Sequence, residues 1–113
     1  MKIVKTSITL EELDTLAKSR FGHLIKAVVD IQLQIMVVDA DLHADEEAEL
    51  LAHGSKQSDL WGINIYPKLE GSEFIEFDSM INLRPSQNNL SRGVGDPQTQ
   101  QKIIKVVNKL IKK

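Results

Sequence analysis

The stretch after Leu83 concentrates hydrogen-bonding side chains: Arg84, Ser86, Gln87, Asn88, Asn89, Ser91 and Arg92 follow one another within nine positions. Arginine forks match the oxygens of carboxylates and phosphates. Small turn residues such as Ser86, Asn88, Ser91 and Gly93 let backbone amides approach an anion. The pattern therefore suits recognition of a small anionic ligand, with Arg84 and Arg92 supplying charge. The glycine-rich Lys/Thr element of a P-loop is missing. The same residues also suit a loop tied down by its own side chains, because Ser and Asn commonly bond neighbouring backbone.

Three further residues extend this chemistry upstream. Asn64, Asp78 and Asn82 fall within stretches that read as strands, where Asn and Asp are poor formers. Strand alternation puts Glu76, Asp78, Met80, Asn82 and Arg84 on one face and Ile75, Phe77, Ile81 and Leu83 on the other. It likewise separates Asn64 from Trp61, Ile63 and Ile65. Asn64, Asp78, Asn82 and Arg84 are expected to share a polar sheet face, where Asn64, Asp78 and Asn82 would orient a ligand. His43 joins them if the second strand keeps this parity. His43 and Asp78 could then act as an acid–base pair, since His titrates near neutral pH; this is a hydrolase-like alternative. The plainer reading is that His43 simply begins the second helix. A metal held by His43 with Asp45, Glu46 and Glu47 is weakly supported, because the spacing is not HExxH. No metal or other cofactor is expected. His23 and His53 sit near helix ends, where a histidine can meet the last carbonyls.

The elements that must position these residues are legible from pattern. Thr9 and Glu12 form a capping box before a helix over 10–21, and Gly22 suits its left-handed end. Residues 25–31 and 35–42 are rich in β-branched residues and read as strands. HADEEAELLA follows as a helix, with acids near its start and Ala44, Ala48, Leu51 and Ala52 turned inward. Residues 60–66 read as a third strand and 74–83 as a fourth, paired antiparallel. Asp96-Pro97 opens a last helix, with Ile103, Val106, Val107, Leu110 and Ile111 as its apolar stripe. The expected order is α-β-β-α-β-β-α. It implies a single α+β domain over residues 1–113: an antiparallel sheet of about four strands with three helices, packed mainly on one face. Residues 1–8 are expected to form an edge strand or an extended arm.

Composition narrows the partners. The chain has 113 residues, a formal net charge of -2 and no cysteine. Disulfides and thiolate metal sites are excluded, and nucleic acid is disfavoured by the lack of a strongly basic surface. Lys102, Lys105, Lys109 and Lys112 stripe the last helix, which is the usual look of a solvated face. No apolar run is long enough for a signal peptide or a membrane span, so a cytoplasmic location is expected. A third reading makes the polar face and loop a protein-interaction or homodimer interface, with Met80, Ile35 and Val37 exposed.

Three blocks, LHADEEAELL at 42–51, GSKQSDLWGINIYP at 54–67 and IEFDSMINLRPSQNNLSRGV at 75–94, resemble a small prokaryotic family of uncharacterised proteins. The resemblance covers nearly the whole chain. It implies a prokaryotic, single-domain, cytosolic protein and transfers no catalytic residue.

Overall fold

The computed structural model describes residues 1–113. Thr9 accepts from the Glu12 amide at 3.0 Å and starts α1, Leu10–Arg20. The Glu12 carboxylate does not complete the capping box; it pairs with Lys2. Gly22, at φ +92°, ends the helix as its sequence suggested. The first hairpin joins β3 (Ile25–Asp30) to β4 (Ile35–Val38). Its turn, through Gln32-Leu33-Gln34, is held by a side chain two residues upstream of Gln32. Asp30 Oδ1 accepts from the amides of Gln32 and Leu33, and Gln34 takes a left-handed conformation. Ser55 Oγ donates to the other Asp30 oxygen at 2.6 Å.

Five strands form one antiparallel sheet, one more than the pattern suggested. In spatial order they are β1 (Lys2–Val4), β4, β3, β5 (Leu60–Ile65) and β6 (Ile75–Glu76). The N-terminal residues thus supply an edge strand. A separate parallel pair, β2 (Ile8–Thr9) with β7 (Ile111–Lys112), ties the start of α1 to the end of α3, Pro97–Leu110. Asp96 caps α3 through the amides of Gln98 and Thr99, and the Thr99 hydroxyl holds its carboxyl below the usual range.

Both faces of the sheet are covered. Met36, Val38, Trp61, Ile63 and Ile65 pack with Leu13 and Ala17 of α1 and with Ile103, Val106, Val107 and Leu110 of α3. On the opposite face, α2 (His43–Ala52) brings Leu50 onto Val28, Val37 and Leu60. The inward residues of α2 are His43, Glu46 and Leu50; Ala44, Ala48, Leu51 and Ala52, expected inside, are exposed. Val37 is buried under α2 as well, while Met80 stands out in solvent.

The expected fourth strand is the main correction. Only Ile75–Glu76 pairs with β5, and residues 80–82 and 85–87 wind into short 3-10 turns. The reason is a side chain that replaces a backbone. Beside Gly62, Asn82 Oδ1 accepts from the Gly62 amide at 2.8 Å and Asn82 Nδ2 donates to the Gly62 carbonyl at 2.9 Å. One carboxamide thus meets both groups that a longer β6 would have used. The fit needs glycine at 62: an ideal Cβ there would lie 2.5 Å from the Ser79 Cβ.

Candidate functional site

The polar residues of the sheet face divide into three groups. At one end, Asn64 Nδ2 and the Tyr66 hydroxyl both donate to Glu76 Oε1, at 2.8 and 2.9 Å. Nearby, His43 opens α2 and its Nε2 donates to the Ile63 carbonyl at 2.7 Å, which requires a proton on Nε2. Burial lowers its pKa; the Ile63 carbonyl opposes that, and charge from Lys26, Asp78 and Arg92 reaches it more weakly. Asp78 does not hydrogen-bond His43; its carboxylate takes Arg92 Nε at 2.7 Å in an exposed pair. Exposed pairs of this kind contribute little to stability.

Arg84 lies at the other end and points into the fold. Its Nε donates to the Ile81 carbonyl, one terminal nitrogen to Gln57 O and Gln87 Oε1, and the other to Leu60 O. Its guanidinium stacks 4.4 Å above the Trp61 ring. Four of its five N–H donors are therefore committed inside the protein. Asn82 is fully buried and also donates to the Arg92 carbonyl at 3.0 Å. Asn89 completes the tie: its amide nitrogen reaches the carbonyls of Asn82, Ser91 and Gly93, and its oxygen accepts from the Gly95 amide. The 84–95 loop is held by its own side chains. Ser86 and Asn88 are exposed on it. The two arginines expected to clamp one anion diverge, Arg84 inward towards Leu60 and Arg92 outward to Asp78.

Two features escaped sequence reasoning. Glu46 is fully buried between α2 and the sheet, and neither carboxyl oxygen has a hydrogen-bond partner. Desolvation raises its pKa to about 10, against smaller opposing effects from the Ala40 backbone, Lys26 and the α-amino group. The signal was present as helical spacing, since 43, 46 and 50 share one face, but that face is the polar one. The second feature is a groove of about 440 Å³ beside α2, lined by Asp39, Asp41, Asp45 and Glu49 with Ala40, Ala48, Arg20 and Met1. Arg20 neutralises part of it, binding Asp39 and Asp41 at 2.7 Å each. Asp45 and Glu49 have no ion-pair partner. No group of three His, Asp or Glu side chains is arranged to hold a metal ion.

Together these elements define a small α+β protein with an antiparallel sheet, helices on both faces and a self-tied polar loop. No helix is long and apolar enough to cross a membrane. The chain belongs to DUF5674, a family of proteins of unknown function, whose model matches residues 2–110. No curated protein and no solved structure matches it.

Proposed function

We propose that this protein is an interaction module that docks a basic, apolar-bearing helix of a partner protein on the outer face of α2. One observation carries the reading: α2 turns an apolar stripe outward. It buries Leu50 together with the ionisable His43 and Glu46 and leaves Ala44, Ala48, Leu51 and Ala52 in solvent. Leu42 before it, and Met80 and Leu83 beside it, are exposed large apolar residues. A helix normally turns such a stripe to a core, and contiguous exposed apolar surface marks interaction sites. The unpaired carboxylates of Asp45 and Glu49 flank the stripe, so charge complementarity selects a basic partner. A second copy fits less well. Its own α2 would bring like charge, and its α3 offers Lys102, Lys105 and Lys109 without exposed apolar side chains.

The test uses a fluorescein-labelled amphipathic helical peptide of Leu and Lys, followed by anisotropy. Ala48→Arg adds bulk and like charge to the peptide in mid-stripe and should weaken binding at least ~tenfold, a loss of about 1.4 kcal/mol. Lys105→Glu on α3 should not weaken it. Binding should also fall as salt rises. Equal affinity of wild type and Ala48→Arg would remove the reading. A dimer of the free protein that Ala48→Arg dissociates would point instead to self-association.

A second reading keeps the small anionic ligand, moved to the start of α2. Leu42 provides no capping side chain there, and the cations Lys26 and Arg92 stand near His43. Uncapped helix amides with nearby positive charge favour anions. Inorganic phosphate and citrate should then raise the Tm of wild type but not of Arg92→Ala; no rise in wild type would discard this reading. The acid–base alternative draws no support from the geometry, because His43 Nε2 and the Asp78 carboxylate are each engaged elsewhere.

A further inference from the structure

A cleft of about 410 Å³ opens between α3 and the chain around β6. We infer that it binds a small monocarboxylate with an apolar body, the body lying on the cleft wall and the carboxylate meeting the Lys113 ammonium. One wall comes from α3. Gln100, Ile104 and Asn108 recur every four residues and so share one flank of the helix. Ile103, Val106, Val107 and Leu110 of α3 are buried in the core, and Ile104 alone among its aliphatic residues is left half-buried, at the cleft. The other wall is Phe74, Ile75 and Phe77, which also pack on the core.

The cation stands at this cleft. Lys113 follows β7, and its Nζ lies 5.2 Å from the centre of the Phe74 ring. The residue is exposed and pairs with no carboxylate. Its ammonium donors are therefore open to a ligand. The Asn108 side-chain amide is exposed as well and makes no hydrogen bond within the protein. Gln100 is held in place, its Nε2 donating to the Val94 carbonyl at 2.6 Å. The cleft thus offers two solvent-reachable polar groups at its rim and apolar side chains below them. This is the pattern of a small-molecule pocket with few convergent polar groups, and its volume falls in the usual range of about 300–1,000 Å³.

Charge sets the ligand class. Lys113 is the only charged side chain among the 9 residues that line the cleft. One unpaired cation beside aromatic and aliphatic walls matches one negative charge on an apolar body. A carboxylate supplies that charge; a phosphate dianion would need more donors than one lysine and one amide provide. The walls suit an aryl or an alkyl body. The inference is independent of docking on α2, because Phe74, Ile75 and Phe77 pack with the core on the opposite face of the sheet.

The experiment titrates phenylacetate in one arm and hexanoate in the other into isotope-labelled protein, each beside its neutral amide, phenylacetamide or hexanamide. The backbone amides of Ile75, Gln100 and Ile104 should shift and saturate with at least one acid, and the tighter arm identifies the body as aryl or alkyl. That acid should bind at least ~threefold more tightly than its amide, the scale of one exposed ion pair. Lys113→Gln should erase the difference by weakening the acid alone, at unchanged Tm. Ile104→Ala should weaken acid and amide alike. Equal affinity of acid and amide for wild type would overturn the inference. So would unchanged acid binding by folded Lys113→Gln, or no saturable shift at these amides in either arm.

Discussion

Replacing Asn82 by Ala should cost about 4 kcal/mol of folding stability, because it leaves three buried backbone groups without partners at roughly 1–3 kcal/mol each, with some relief from entering water. The groups are the Gly62 amide, the Gly62 carbonyl and the Arg92 carbonyl. Urea unfolding would report the loss as a lower midpoint at similar slope. Hydrogen exchange at Gly62 should quicken more than at Ala27, which keeps strand partners on both sides. Asn82→Asp retains the acceptor and loses the donor, and it should be no better at neutral pH because it buries a charge. A loss under about 1 kcal/mol for Asn82→Ala would mean that the carboxamide is not the stand-in strand described here.

Glu46 should make this protein less stable as pH rises. Its carboxyl keeps its proton in the folded state up to about 10, while the unfolded chain releases it near the ordinary 4.5. Between those values the folded state holds the extra proton, so stability falls with rising pH at about 1.4 kcal/mol per unit. The deficit reaches about 3 kcal/mol by about pH 7. Groups facing Glu46 act in both directions: Lys26 and the α-amino group favour its anion, and Asp39 opposes it. His43 contributes the reverse slope. Its lowered pKa makes the unfolded chain the better proton binder below the ordinary 6.5, so there stability rises with pH. The comparison is therefore cleanest above about pH 7. Glu46→Gln should flatten the curve there and exceed wild type by a margin that grows with pH. Parallel curves for the two proteins above neutrality would contradict a buried, protonated Glu46.

Much of the framework was legible in the sequence because it rests on local chemistry. Thr9 and Asp96 cap their helices as their residue types imply, and the stripe from Ile103 to Leu110 finds the core. The hairpin turn was obscure because Asp30 builds it from outside the turning residues. The strand expected over 74–83 failed for a related reason. Alternation records which side chains are apolar, and it says nothing of a carboxamide that bonds a neighbouring strand in place of its own backbone. Arg84 and Asn82 drew notice as polar residues that could meet a ligand on a polar sheet face; both are buried instead, and their hydrogen bonds hold the fold. The orientation of α2 was least accessible. Leu50 and Leu51 are adjacent, and either could have faced the sheet. Burial of Leu50 on Val28, Val37 and Leu60 carries Glu46 inward and the alanines outward, a choice that depends on the shape of the opposing layer.

That choice is the basis of the docking proposal, and mapping the bound surface tests it most directly. With isotope-labelled protein and the unlabelled Leu/Lys peptide, amide resonances of Ala44, Ala48, Leu51 and Met80 should shift and saturate together at one affinity, while those of Lys102, Lys105 and Lys109 stay still. Saturable shifts centred away from α2, or none, would contradict the account.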